Sequence, residues 1–203
     1  LNLCHFKGHF GCHRQMKIPK KITITIEKEI EPNILETHQL ILRKGQSESS
    51  LHVLLKLFAY IYFWDIENEL IIEPRKFHRY RPDLISWRQS EIPTQVELVP
   101  DLWIECKQVK INKLIKLGRE FSNSKIYWFH KFKYFLRQKE KLPQNVHLIG
   151  VEAASNVWDL LKDSLFLKRP YWRFTCDSKD PKTIQIRFDG TIGQISFHIS
   201  SEK

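Results

Sequence analysis

The sequence predicts a single α/β domain, in which a mixed β-sheet core is flanked by helices and extended by antiparallel strands from both ends of the chain. Strand-like and helix-like segments alternate through the middle of the chain, which is typical of parallel strands joined by helical crossovers. Alternating apolar residues near both ends are typical of half-buried antiparallel strands. The 203 residues suffice for one full core, and no linker, internal repeat or low-complexity tract divides them.

The N-terminal part predicts two strands followed by a helix. Residues 22–29 and 36–43 have the alternation of an antiparallel pair. Ser47 or Ser49 is the predicted N-cap of a helix over residues 48–64, with Glu48 in its first turn. Apolar residues recur along this helix at a spacing that predicts one buried stripe, formed by Leu51, Leu54, Leu55, Phe58, Ala59 and Tyr62.

The middle of the chain predicts the alternating elements of the core. Two strands joined across residues 90–93 come first, and a helix follows from about Ile111, where Gly118 allows close approach to the sheet. Lysines occupy the opposite face of that helix. In chain order the predicted elements are a strand over 80–87, a strand over 95–107, the helix from Ile111, a strand over 125–130, a helix over 131–141, a strand over 146–149 and a helix over 155–165.

The C-terminal part predicts an antiparallel extension of the sheet. Residues 182–188 and 194–199 alternate, and Asp189-Gly190 between them is a strong hairpin signal. With residues 171–175 they form a small unit that pairs with the N-terminal strands and serves as scaffold. The alternative is an edge at which two copies of the chain meet, so a homo-oligomer stays open.

The acidic and basic residues around the second predicted strand suit metal-assisted phosphodiester hydrolysis. Glu105 and Lys107 share a face if the strand continues through both, and Asp83 comes from the neighbouring strand. Asp83 and Glu105 are the predicted ligands of Mg²⁺ (or Mn²⁺), because hard cations prefer carboxylate oxygens. Lys107 is predicted to position the attacking water or to offset negative charge in the transition state. The plainer alternative is a surface Asp and an exposed Glu–Lys pair.

The order of segments over residues 21–129 resembles the YaeQ family, which is similar to PD-(D/E)xK nucleases. The resemblance rests on five stretches: Ile22–Ile26, Gln39–Arg43, Ser47-Glu48 with Leu54–Tyr60, Pro82–Leu84 with Leu102–Glu105, and Ile126–Phe129. It implies a restriction-endonuclease-like core. It also implies that Glu48, Asp83 and Glu105 occupy the family's acidic positions. The alternative for Glu48 is a favourable charge near a helix N-terminus.

The chain departs from the family after the strand glutamate. YaeQ-like chains continue through a small residue into a Gln-Pro-Asp-Glu stretch, whereas here Cys106, Lys107 and Gln108 follow. The lysine therefore stands in its nuclease position, which favours catalytic competence. Gln108 is predicted to contact the scissile phosphate or to support the residues that do.

The charge distribution predicts nucleic acid as the partner. Thirty-three Lys and Arg stand against 23 Asp and Glu, which gives a formal net charge of +10. Cations flank both parts of the acidic motif, where phosphate neutralisation requires them. Arg79, Arg81, Lys110 and Lys113 are the predicted nucleic-acid-binding residues. The alternative is an ordinary solvated face.

The first fifteen residues differ from the rest. The only Met is Met16, and it directly precedes the first alternating strand, so residues 1–15 are predicted to be a non-native or disordered extension and residues 16–203 the domain. A zinc site formed by Cys4, His5, His9, Cys12 and His13 is the alternative, although the spacing does not match structural zinc sites. No apolar run is long enough to span a membrane, and a cytoplasmic location is expected.

Three functions compete at this point. The first is a Mg²⁺-dependent nuclease that uses Glu48, Asp83, Glu105, Lys107 and Gln108. The second is a catalytically silent nucleic-acid-binding or regulatory protein on the same scaffold. The third is a protein-interaction domain that uses the C-terminal hairpin, and it predicts no salt-dependent affinity for nucleic acid.

Overall fold

A computed structural model describes residues 21–45, 48–65, 69–74, 79–88, 99–133, 142–167, 170–177, 182–188 and 190–199. Ten strands and three helices lie in this part of the chain. Their bounds are β1 (Lys21–Glu31), β2 (Ile34–Arg43), α1 (Ser50–Tyr62), β3 (Ile71–Ile72), β4 (Leu84–Arg88), β5 (Val99–Cys106), α2 (Ile111–Glu120), β6 (Lys125–Lys131), β7 (Val146–Ala153), α3 (Ser155–Ser164), β8 (Tyr171–Asp177), β9 (Lys182–Phe188) and β10 (Thr191–Ile199).

All ten strands form one mixed sheet, which confirms the predicted α/β class. The strand order is β2-β1-β8-β9-β10-β7-β6-β5-β4-β3. Strands β5, β6 and β7 are parallel, as the alternating elements predict. The N- and C-terminal strands pair with each other as predicted, but the contact between β1 and β8 is parallel. The other pairs of the predicted antiparallel extension, β1 with β2, β8 with β9 and β9 with β10, are antiparallel. The sheet nearly closes, since the backbone N–H of Arg43 at the end of β2 donates to Glu73 Oε2 beyond β3 over 3.1 Å.

Helices α1 and α3 cover one face of the sheet, and α2 covers the other. Ser49 is the N-cap of α1, as one of the two predicted serines, and its hydroxyl accepts a hydrogen bond from the His52 N–H. The predicted apolar stripe of α1 is largely buried, in one cluster with β1, β4, β5 and α3. Burial of this stripe, rather than helix propensity alone, stabilises α1, since a 13-residue helix is marginal in isolation.

Helix α2 packs very closely against the sheet at Gly118. Its buried residues are Leu114, Leu117 and Gly118, in a second cluster with Trp103. A Cβ at position 118 would lie 2.8 Å from Pro143 Cγ and 2.9 Å from Val146 Cγ2. The predicted close approach at Gly118 is therefore confirmed.

Some predicted elements differ in length or lie outside the described residues. Strand β7 runs four residues beyond its prediction, and the short strand β3 was not predicted. Ser47, Asp189, residues 1–20, 90–93 and 95–98, and residues 134–141 of the predicted basic helix lie outside the description. Within the part that is described, no helix combines the length and hydropathy needed to cross a membrane.

Candidate metal and catalytic site

Glu48, His52 and Asp83 meet at the N-terminal end of α1. One ligand atom from each lies within 4.8 Å of the other two, and all three residues are half-buried. His52 stands between the carboxylates, with Nδ1 3.1 Å from Glu48 Oε1 and Nε2 3.0 Å from Asp83 Oδ1. A neutral imidazole has only one N–H to donate. Both contacts are therefore hydrogen bonds to carboxylates only when both ring nitrogens carry a proton.

The backbone fixes both carboxylates. Glu48 Oε2 accepts the Gly45 N–H over 2.8 Å, and Asp83 Oδ2 accepts the Cys106 N–H over 2.8 Å. Asp83 directly precedes β4, whose register pairs Leu84 with Ile104, so Asp83 lies one step further along, beside Glu105. The predicted neighbourhood of Asp83 and Glu105 is therefore present.

Lys56 and Glu73 extend this cluster into the core. The Lys56 side chain is 2% exposed, and its ammonium lies 2.7 Å from Glu48 Oε1 and 2.5 Å from Glu73 Oε1. Burial alone would lower the pKa of Lys56, but the hydrogen bonds to Glu48 and Glu73 outweigh it and raise that pKa. Burial likewise works to raise the pKa of Glu48, yet Lys56 and the Gly45 N–H lower it overall. Both groups are therefore held in their charged forms.

Sequence reasoning missed His52, Lys56 and Glu73 as site residues. A signal for the first two exists, because His52 and Lys56 are four residues apart on α1 and so share one helix face. Polar residues at that spacing inside an apolar run indicate a buried polar cluster. Glu48 was predicted in the first turn of the helix, but it lies one residue before the N-cap Ser49 and contacts His52 and Lys56 from there. Nothing in the sequence around Glu73 places it there, since the sheet brings it back to α1.

Glu105 faces the opposite side of the sheet from the Glu48, His52 and Asp83 cluster. Its carboxylate accepts the Trp103 indole N–H over 2.8 Å and lies 2.6 Å from Lys113 Nζ on α2. Burial raises the pKa of Glu105; Lys113 opposes that shift, and the nearby Asp83 charge adds to it. Asp83 and Glu105 are thus close enough to repel each other, although their carboxylates point to different partners.

Lys107 leaves the regular strand and does not share a face with Glu105. Strand β5 ends at Cys106, and Lys107 has a left-handed backbone with φ 66°. The turn directs its ammonium to Ser49 Oγ at the start of α1, over 2.9 Å. The expected strand alternation through Lys107 is therefore wrong, because that alternation requires extended backbone. The turn nevertheless brings Lys107 to the same helix end as Glu48.

Of the four predicted nucleic-acid-binding residues, Lys113 and Arg81 contact residues of the site, and Lys110 and Arg79 do not. Lys113 is bound to Glu105, and an Arg81 guanidinium N–H donates to the Glu73 carbonyl over 3.3 Å. Lys110 is exposed at the N-cap of α2, and Arg79 is exposed with its guanidinium 2.7 Å from Glu120. Gln108 is exposed in the connection from β5 to α2.

The thiol of Cys106 lies behind the cluster and does not contribute a reactive group. It is buried, and desolvation raises its pKa well above the ordinary value, with the Asp83 charge adding to the effect. A thiol that stays protonated is a poor nucleophile and a poor metal ligand.

Comparison with solved structures identifies the fold. The YaeQ protein from Xanthomonas axonopodis pv. citri is similar, with a TM-score of 0.60, 17% identity, and coverage of 91% of this chain and 99% of that one. The YaeQ protein from Pseudomonas syringae gives a TM-score of 0.57, 16% identity, and coverage of 90% and 97%. No protein-family model and no curated protein matches the sequence. The chain therefore shares the fold of the YaeQ proteins.

Proposed function

We propose that this chain is a YaeQ-like protein with a restriction-endonuclease-like core, and that it hydrolyses phosphodiester bonds of nucleic acid with a divalent metal ion. The observation that carries the proposal is the convergence of Glu48, His52 and Asp83, with Lys107 at the same helix end. A cytoplasmic location belongs to the proposal, since Cys106 and Cys176 are free thiols.

The donor set fits a divalent cation. Two metal–ligand bonds of about 2.1 Å span up to about 4.2 Å, so small rotations bring all three donors onto one ion. Carboxylates suit Mg²⁺ and Mn²⁺, while an imidazole ligand favours ions later in the first transition series. We therefore expect Mn²⁺ to bind more tightly than Mg²⁺. A bound cation would lower the pKa of its water and polarise the phosphoryl oxygen.

The protein side chains have distinct roles in this proposal. Glu48, His52 and Asp83 hold the cation, and the buried Lys56 keeps Glu48 ionised and in place. Lys107, anchored on Ser49, orients the attacking water or offsets charge on the phosphate. Glu105 remains a predicted ligand, and joining the cluster requires its carboxylate to leave Lys113. Gln108 is exposed beside Lys107, where it can reach the scissile phosphate.

One observation favours a catalytically silent nucleic-acid-binding protein instead. The charged groups of the cluster already satisfy one another, through Glu48 with Lys56 and His52 with Asp83. Glu105 is likewise paired with Lys113. A closed network of this kind also serves as a polar core that fixes the start of α1.

Metal binding and cleavage, measured on the same samples, test the proposal. The full-length chain is titrated with Mn²⁺ and Mg²⁺ by calorimetry, and is incubated with labelled single- and double-stranded DNA and RNA in either metal or in EDTA. Asp83→Asn, His52→Ala and Lys107→Ala are compared with the wild type. Glu152→Gln and His198→Ala are the matched controls, because these residues form another carboxylate–imidazole pair, joining β7 and β10 over 2.8 Å.

The proposal predicts that Asp83→Asn and His52→Ala lose Mn²⁺ affinity and cleavage together. Lys107→Ala should retain the metal and lose cleavage by about a hundredfold or more, as expected for a group that acts in the transition state. The controls should match the wild type. Nucleic-acid binding without cleavage, unchanged in all three site variants, would instead establish the silent scaffold.

A further inference from the structure

The exposed face of α2 carries a concentration of positive charge outside the metal cluster. The helix buries Leu114 and Leu117 against the sheet and leaves Lys116 and Arg119 in solvent. Lys110, at the N-cap, is also exposed. Among the described residues, none of these three cations forms an ion pair, in contrast to Lys113, which turns to Glu105. Three exposed charges therefore have no ion-pair partner in the part of the chain that the structure describes.

Two arginines from the sheet side add to this face. Arg79 lies against Glu120 at 2.7 Å, and Arg88 donates to the Asn123 carbonyl over 3.0 Å, so both guanidinium groups lie beside the end of α2. Arg79, Lys116, Arg119 and Glu120 line an open groove of about 400 Å³. Arg79 offsets Glu120, which is the one carboxylate among the described residues of the groove, so Lys116 and Arg119 give these residues a net positive charge.

The beginning of α2 has unfavourable electrostatics in the free protein. It has no side-chain cap and no acidic residue in its first turn, and Lys110 stands at the N-cap. The N-terminus of a helix carries a partial positive charge, which repels a nearby lysine and attracts an anion. This end of the helix therefore gains from a bound anion.

We propose that this basic α2 face, defined as Lys110, Lys116 and Arg119 with Arg79 and Arg88, binds the phosphate backbone of a nucleic acid without reading its bases. The choice of partner rests on the proposed function. Helical rise separates Lys110 and Arg119 by about 13.5 Å, and phosphates of one strand recur about every 3.4 Å along a duplex. The cations are therefore spread along α2 over a length that corresponds to about four phosphate steps of one strand when the helix lies parallel to the duplex axis.

A membrane surface fits this face less well. Helices that lie on membranes insert an apolar face beside their basic one, but the apolar face of α2 is already buried against the sheet. The most exposed large apolar residues of the described chain, Ile192, Ile30, Ile34 and Ile41, lie on β10, β1 and β2 and not on α2. A polyanion that needs no apolar contact is the better match.

Salt-dependent affinity tests the proposal. The full-length protein is mixed with a fluorescent 20-base-pair DNA of random sequence in EDTA, and anisotropy is measured from 50 to 200 mM KCl. The double variant Lys116→Gln with Arg119→Gln is compared with the wild type. The control is Lys162→Gln with Arg187→Gln, which removes one lysine and one arginine charge from α3 and β9 instead.

The double variant should bind about tenfold or more weakly, with a salt slope shallower by about 1.8, because each lost phosphate contact contributes about 0.9. The control should keep the wild-type slope. An unchanged slope in a folded double variant, checked by thermal unfolding, overturns the proposal. The proposal is also overturned if the wild-type protein binds vesicles that contain 30% phosphatidylserine but does not bind DNA.

The catalytic proposal and this one fail separately. Asp83→Asn should abolish cleavage in Mn²⁺ and retain DNA affinity in EDTA, since Asp83 lies in the metal cluster and not on the α2 face. If no cleavage occurs but the double variant loses affinity, the basic α2 face stands and the nuclease falls. If cleavage occurs and the double variant binds DNA like the wild type, the nuclease proposal stands and the basic α2 face falls.

Discussion

The two sides of strand β5 use buried charge in opposite ways. On the α1 side, Glu73 and Lys107 come from left-handed backbone turns, with φ 51° and 66°, and reach Lys56 and Ser49. On the α2 side, Glu105 belongs to the regular strand and pairs with Lys113, whose side chain is 24% exposed. The α1 side thus surrounds a cation with two carboxylates, whereas the α2 side gives a buried carboxylate one partly exposed lysine.

The pKa shifts of Lys56 and Glu105 show how the two sides of β5 differ. The pKa of Lys56 is raised because its bonds to Glu48 and Glu73 outweigh burial, so folding favours its charged form. The pKa of Glu105 is raised because burial outweighs Lys113, so folding disfavours its charged form. The same direction therefore means stabilisation for the lysine and a cost for the carboxylate. Ionisation of Lys56 is therefore coupled favourably to folding, and ionisation of Glu105 unfavourably.

The largest expected effect is the loss of Lys56. Lys56→Met keeps the length of the side chain but leaves Glu48 and Glu73 without their buried cation. Removing one partner of a buried ion pair costs about 3–5 kcal/mol. Urea denaturation of the purified variant should therefore show that much loss in the free energy of unfolding, or an unfolded protein.

Lys116→Met is the matched control on α2, where the lysine is exposed and its replacement should change stability by at most about 0.5 kcal/mol. If Lys56→Met were as stable as this control, the two carboxylates would not depend on the lysine. The contrast between the two sides of β5 would then be lost.

The next effect tests how tightly α2 is held. Gly118→Ala raises helix propensity by about 1 kcal/mol, but the new methyl group overlaps Pro143 and Val146. Overpacking costs about 1–3 kcal/mol, so we expect a net loss of stability in thermal unfolding. Asn112→Ala, at an exposed position of the same helix, should be neutral or stabilising. A more stable Gly118→Ala variant would mean that α2 has room to move outward.

Periodicity and charge predicted the elements of the fold better than they predicted side-chain directions in the site. Ser49 as N-cap, the buried stripe of α1 and the close contact at Gly118 follow from local chemistry, and the structure confirms them. The direction of Lys107 depends on one left-handed residue, which strand alternation does not reveal. Glu73 joins the cluster because it follows β3, which pairs with β4, so that its N–H donates to the Asp83 carbonyl over 2.8 Å. A strand of two residues is too short for an alternation pattern to predict it.

The dependence of stability on pH sharpens the comparison, because Glu48 and Glu105 have opposite shifts. The folded-state pKa of Glu48 is lowered, so its stabilisation is complete above its unfolded value of about 4.5 and is lost as the pH falls through the folded value. The folded-state pKa of Glu105 is raised, so its cost is absent below about 4.5 and develops as the pH rises toward the folded value.

Glu48→Gln and Glu105→Gln should therefore give opposite pH slopes relative to the wild type in urea denaturation between pH 3 and 8. The advantage of the wild type over Glu48→Gln grows as the pH rises toward about 4.5, and its advantage over Glu105→Gln shrinks above that pH. One proton limits either slope to about 1.4 kcal/mol per pH unit. Slopes of the same sign would show that both carboxylates share one environment.

The smallest effect concerns the left-handed turn that separates the two sides of β5. At Lys107, both Gly and Ala remove the ammonium from Ser49, so the difference between them isolates the backbone. A left-handed residue with a Cβ costs about 1–2 kcal/mol relative to glycine, and the greater flexibility of glycine in the unfolded chain returns part of that. We expect Lys107→Gly to be about 1 kcal/mol more stable than Lys107→Ala in denaturant unfolding.

At the next residue, Gln108, which is not left-handed, the order should reverse, with Ala at least as stable as Gly. An equal effect of Gly and Ala at position 107 would mean that the chain relaxes into extended backbone once the ammonium is gone. The hydrogen bonds of the Lys107 backbone with Phe129 and Trp128 would then not hold the turn without the contact to Ser49.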